Sequence, residues 1–136
     1  MQVFLSYAES DKSLAKKVTE GLEEAGLKVW YDDREILPGE NWADKVGRAL
    51  RESKAMIVLL TPAALRSPNV RRNIEYALGE RTYSHRLIPV IVGPPEKLPQ
   101  DDIPWILRSF QVFNLPERGR QEEKFKQIAQ TLRDAA

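Results

Sequence analysis

The sequence has no cysteine and a single histidine, His85, in 136 residues. Without cysteine there is no disulfide framework, no thiolate nucleophile and no zinc ribbon, and one histidine gives no basis for a histidine-built metal site. No metal is therefore expected. No apolar run approaches the ~20 residues of a spanning helix. The amino-terminal apolar run lacks the basic flank of a signal peptide and reads as a strand. No membrane partner is expected, and a cytoplasmic location is. Charge of one sign is also missing: 21 basic residues against 20 acidic ones leave a net charge of +1. That balance predicts no direct nucleic-acid partner. Several motifs are absent as well. No G-x-G-x-x-G follows the first strand, and no G-x-x-x-x-G-K-[ST] occurs, so neither a dinucleotide fingerprint nor a P-loop is present. There is no G-x-S-x-G elbow. The third strand ends Leu60-Thr61-Pro62, without the acceptor aspartate of a phosphorelay receiver. His85, beside Arg86, reads as an exposed loop residue.

What is present is a repeated alternation. Short apolar runs at Val3–Tyr7, Leu27–Tyr31, Ala55–Thr61, Leu87–Val92 and Gln111–Leu115 alternate with amphipathic stretches. Leu14, Val18 and Leu22 give the first helix one apolar face, from a cap at Ser10 or Asp11 to Gly26. Asp32 to Asn41 reads as a polar loop around Pro38-Gly39. Trp42, Val46 and Leu50 mark the next helix. Ser67-Pro68 reads as a cap and first-turn proline for a helix with Ile74, Ala77 and Leu78 inward. Pro89 suggests a bulge or a place near the sheet edge. Residues 93–100 read as a proline-rich loop, 103–110 as a short helical segment, and Phe125, Ile128 and Leu132 as the inner face of the last helix. One domain over residues 1–136 is expected, either a complete small protein or part of a longer one. Strands joined by helices run parallel with right-handed crossovers. The fold class is α/β: a flavodoxin-like, doubly wound three-layer sandwich with a five-stranded parallel sheet of order 2-1-3-4-5. Its ligand crevice lies at the switch point beside the first and third strands.

Val3-Phe4-Leu5-Ser6-Tyr7 resembles the first signature box of Toll/interleukin receptor (TIR) domains. Trp30-Tyr31-Asp32-Asp33 with Ile36-Leu37-Pro38-Gly39 resembles the second box and the so-called BB loop. Ile57 to Pro62 resembles the third strand, and Phe110 with Phe113 falls where a third box sits. The likeness covers essentially the whole chain. It implies one of two occupations: a self-associating scaffold, or an enzyme, of a bacterial NAD+-consuming type, that cleaves the nicotinamide–ribose bond in immune or antiviral defence. The enzymatic members carry a glutamate on the helix after the third strand, which by position is taken here as Glu75. They also carry a tryptophan four residues earlier, and here that residue is Arg71, one turn from Glu75 and able to pair with it.

One carboxylate suffices for such a reaction. Nicotinamide leaves as a neutral molecule and needs no acid, unlike the aglycone of an ordinary glycoside. The carboxylate steadies the oxocarbenium-like ribose by charge. NAD+ is then the substrate, and no cofactor is required. Read without the resemblance, Glu75 is a solvated helix charge. Substrate contacts are assigned to Ser6, Tyr7, Ala8, Asp32, Leu37, Gly39, Trp42 and Arg71. Each has a plainer reading: turn chemistry for Ser6, Asp32 and Asp33, packing for Trp42. Trp30 reads as core, and Trp105 as core or as an exposed residue near the loop after the fourth strand that serves an interface. Self-association is assigned to the BB loop, Ile36, Leu37, Pro38 and Gly39, with a sensor domain or partner protein as the trigger. The alternative to the enzyme is a non-catalytic signalling module. A third reading is an enzyme like the nucleoside deoxyribosyltransferases.

Overall fold

The computed structural model describes residues 1–98, 100–116 and 119–135. Five parallel strands form one sheet in the order β2-β1-β3-β4-β5: β1 (Gln2–Ser6), β2 (Lys28–Trp30), β3 (Ala55–Leu60), β4 (Leu87–Val92) and β5 (Phe113–Leu115). The strand order expected from the sequence is thus observed. Every residue of β3 is buried, because β3 is covered on both faces and tolerates no polar alternation. Its alternate side chains serve two separate cores. Ala55, Ile57 and Leu59 pack with α1 (Lys12–Glu24) and α6 (Gln121–Asp134). Met56, Val58 and Leu60 pack with α3 (Trp42–Glu52), α4 (Pro62–Leu65) and α5 (Pro68–Leu78).

Several boundaries differ from expectation for local reasons. The segment from Asp32 is not all loop: Asp32–Glu35 forms a helical turn, α2. Asp11 precedes α1 without capping it through its side chain. Its carboxylate instead accepts from the Thr61 hydroxyl at 2.5 Å, tying the ends of β1 and β3 together. Pro89 pairs with Val58 on β3, while the β5 ladder begins only at Val90. Its missing N–H therefore falls where β4 has a strand on one side only. Short 3-10 turns occur at Glu9–Asp11, Arg81–Tyr83, Pro95–Lys97, Gln100–Asp102 and Trp105–Ser109. Pro99 of the expected 93–100 loop lies outside the described residues. Trp105, read as core or as exposed, is 78% exposed, and Leu78, read as facing inward, is 41% exposed. The apolar stripe of α5 is Val70, Ile74 and Ala77, and Leu78 falls to one side of it.

The α1–α6 contact depends on one glycine. A Cβ on Gly21 would lie 2.1 Å from Cε2 of Phe125, a ring buried in the first core. Gly21→Ala gains roughly 1 kcal/mol of helix propensity but overpacks this seam. The expected net loss is about 2 kcal/mol, read as a lower urea midpoint at unchanged slope. An unchanged midpoint would mean that Phe125 moves aside at no cost.

Candidate functional site

A crevice opens at the carboxyl ends of β1 and β3, the switch point of the sheet. Its volume is about 70 Å³, and its walls include Ser6, Tyr7, Glu9, Asp32, Trp42, Ser67, Asn69 and Asn73. Ser6, the last residue of β1, is buried. It accepts a hydrogen bond at 2.8 Å from the Asn73 side-chain amide on α5. Ser67 caps α5 by accepting from the Val70 N–H at 3.3 Å, which fixes how the first turn of α5 faces the crevice.

Tyr7 anchors the opposite wall. Its hydroxyl contacts the carboxylates of both Asp32 and Asp33, and the Asp33 N–H donates to the Tyr7 oxygen at 3.2 Å. A hydroxyl has one proton, so at any moment one carboxylate faces its lone pairs. The Asp33 N–H at 3.0 Å and the Trp42 indole N–H at 3.4 Å both donate to Asp32 and offset part of that repulsion. Burial, then the two aspartates, pushes the Tyr7 hydroxyl far above its ordinary pKa. Tyr7 is therefore a neutral donor that latches α2 to β1.

The structure brings together Ser6, Tyr7, Asp32 and Trp42 of the residues assigned to substrate, and leaves the others elsewhere. Ala8 is 4% exposed and belongs to the second core. Leu37 and Gly39 lie on the exposed loop beyond α2, and no atom lies within 4 Å of a Cβ placed on Gly39. That loop is a tight turn. Glu40 N–H donates to the Leu37 carbonyl at 3.1 Å, and Leu37 N–H donates to the Glu40 carboxylate at 2.8 Å. Lys45, 2.9 Å away, and then the Leu37 N–H hold that carboxylate below its usual range. The turn leaves Leu37 63% exposed, while Ile36 packs against the second core.

Glu75 and Arg71 are not among the residues that line this crevice. An α-helix turns about 100° per residue, so positions two apart point to opposite sides. Asn73 reaches Ser6; Glu75 lies on the far flank of the Val70–Ile74–Ala77 stripe. There, with Arg71, it borders a second cavity of about 230 Å³ floored by Leu60, Ala64, Leu65, Ile74 and Leu78 and rimmed by Asp102, Pro104 and Ile106. Arg71 and Glu75 share that flank, but the expected ion pair between them is not among those of the described residues. Asn73 is not among the sequence candidates because the resemblance places the glutamate of this helix at Glu75; the buried stripe Val70, Ile74 and Ala77 turns Asn73 and Asn69, one turn apart, toward β1.

The acids of the crevice are thus Asp32 and Glu9, from the loops after β2 and β1. From α5 come two amides, which donate and accept hydrogen bonds but carry no charge. Among the described residues, no three or more histidine, cysteine, aspartate or glutamate side chains gather in a group able to hold a metal ion. No helix among them is long and apolar enough to cross a membrane.

Comparison with known proteins agrees with this architecture. A family described as TIR domain matches residues 3–129. The Stimulator of interferon genes protein of Magallana gigas is 29% identical over 123 residues, 88% of this chain and 29% of that protein. The 2' cyclic ADP-D-ribose synthase AbTIR of Acinetobacter baumannii is 25% identical over 87 residues, 63% of this chain and 32% of that protein. A metazoan TIR-STING receptor from C. gigas, solved in complex with 2',3'-cGAMP, superposes with a TM-score of 0.75 at 28% identity, covering 93% of this chain and 38% of that one. The chain therefore spans about a third of the length of these relatives. The match over nearly all of its length, with the 2-1-3-4-5 sheet, makes this chain a member of the TIR domain family.

Proposed function

We propose that this TIR domain acts as an association module that brings copies of itself together, and that it does not cleave NAD+ through Glu75. One observation carries this reading: at the switch-point crevice, α5 presents the Asn73 amide where the chemistry requires a carboxylate. An amide offers a dipole, not the charge that steadies an oxocarbenium ion. The acids that line the crevice, Asp32 and Glu9, make it an unfavourable surrounding for an anionic ligand. Association is assigned to the turn of Ile36, Leu37, Pro38 and Gly39, whose exposed leucine is an apolar knob with no use in a monomer. The relative named Stimulator of interferon genes protein supports a role in defence signalling, with a sensor domain or partner protein as the trigger.

A second reading, NAD+ cleavage to nicotinamide and ADP-ribose or a cyclic isomer, is favoured by the relative named 2' cyclic ADP-D-ribose synthase. It is favoured too by the Glu75 carboxylate, free of ion pairs among the described residues, at the mouth of an apolar cavity. One assay separates the two. Concentrated protein is incubated with NAD+, and nicotinamide is measured by chromatography. The expected result is no release above the enzyme-free blank for the unsubstituted chain or for Glu75→Ala. Release that disappears in Glu75→Ala, in a variant that keeps its fold, would establish the second reading and end the first.

A further inference from the structure

The cavity beside Glu75 carries more information than its catalytic assignment. At about 230 Å³ it is smaller than the roughly 300–1,000 Å³ of sites for drug-sized ligands, and nearer the size of one large side chain. Its floor is apolar, and its rim holds three charges of both signs: Arg71, Glu75 and Asp102. None of the three is in an ion pair among the described residues. Directly beside it stands Trp105, 78% exposed, between the rim residues Pro104 and Ile106. Leu78, on the floor, is itself 41% exposed. An apolar centre, an aromatic anchor and a charged rim together are the anatomy of a protein–protein contact.

We propose that this face, formed by α4, α5 and the Trp105–Ser109 turn, is a two-fold interface between copies of this chain. Trp105 of each copy fills the cavity of the other. This deepens the association reading above and rests on it. Three features select a second copy as the occupant. The knob and the hole lie side by side on one surface, which a two-fold axis pairs reciprocally. The mixed rim is self-complementary, because the same axis sets Arg71 of one copy against the acids of the other, and a surface of one sign would not match itself. The cavity also fits a single ring, and covering an aromatic side chain removes on the order of 150–250 Å² from water per copy.

The test is sedimentation equilibrium across a concentration series. For Trp105→Ala, the expected result is association at least about 30-fold weaker than for the unsubstituted chain, with an unchanged urea midpoint at concentrations where both chains are monomeric, since Trp105 is 78% exposed. Arg71→Glu is expected to weaken association, and Asp102→Arg in the same chain to restore it. That rescue would not follow from a merely structural role. If the chain self-associates and Trp105→Ala does not change it while Leu37→Ala abolishes it, this interface is wrong and the association reading stands. If the chain is monomeric throughout the series, both fail. If Arg71→Glu associates as tightly as the unsubstituted chain, the two-fold pairing of the rim is overturned.

Discussion

Asn73→Glu is expected to bring nicotinamide release from NAD+ to at least about 100-fold above the enzyme-free blank. The position is the one on α5 that reaches the end of β1, through Ser6. A carboxylate about 4 Å from a developing unit positive charge gains roughly 4 kcal/mol at an effective dielectric constant of 20, and about 1.4 kcal/mol is a tenfold rate. Even part of that interaction exceeds the threshold. The crevice is small, but Trp42 is 44% exposed and held by one long hydrogen bond, so it is the wall that can yield to a ring. Asn73→Gln is the control: it matches glutamate in size and adds no charge, and no gain is expected. Equal rates for the two variants would show that the crevice does not hold the reacting ribose. The result is independent of Glu75, which lies on the other flank of the helix. It therefore tests where the chemistry of this fold belongs, whatever the unsubstituted chain does.

The second large effect concerns pH. Two buried tyrosines hold their protons in the folded state. Tyr7 is raised by burial and then by Asp32 and Asp33. Tyr83 is raised by burial, then by Tyr76 and Glu80, and its hydroxyl donates to the Leu50 carbonyl at 2.5 Å. A folded pKa above the unfolded one means that the native state binds more protons than the unfolded chain. Its stabilisation is complete below the unfolded value of about 10 and is lost as pH rises toward the folded value. Above that point each tyrosine removes about 1.4 kcal/mol per pH unit, and the pair about 3 kcal/mol at one unit above it. Against a total of about 5–15 kcal/mol, that predicts a steep fall of the urea midpoint between roughly pH 10 and 11. Tyr7→Phe and Tyr83→Phe are each expected to make the slope shallower, the remainder coming from the other tyrosine and from Tyr31, which burial also raises. A flat profile, or slopes unchanged in both variants, would mean that neither hydroxyl is held as described.

Much of this molecule is legible in its sequence for identifiable reasons. The β3 segment reads as a central strand because six consecutive apolar residues from Ala55 leave no polar face for water. The switch point follows from strand order, and Ser67-Pro68 announces the start of α5, because caps and first-turn prolines act within one turn of chain. The turn at Pro38-Gly39 is legible because that dipeptide sets the backbone of a turn locally. Each of these is a local or periodic property.

The open readings share one cause. Trp105 reads as core or as an exposed interface residue because it is large and apolar, and its place depends on how the Trp105–Ser109 turn lies on the surface. The aspartates after β2 read as turn residues, and only the approach of β1 makes Tyr7 their shared donor. The sequence by itself determined the strand order, the two cores and the family, since those rest on periods of two and 3.6 residues and on a pattern spread over the whole chain. Only the tertiary structure decided which side of α5 meets the crevice. Asn73 and Glu75 flank the same apolar stripe on opposite sides, and which flank borders the end of β1 depends on how α5 lies across the sheet, set by the packing of Val70, Ile74 and Ala77 against strands far away in the chain.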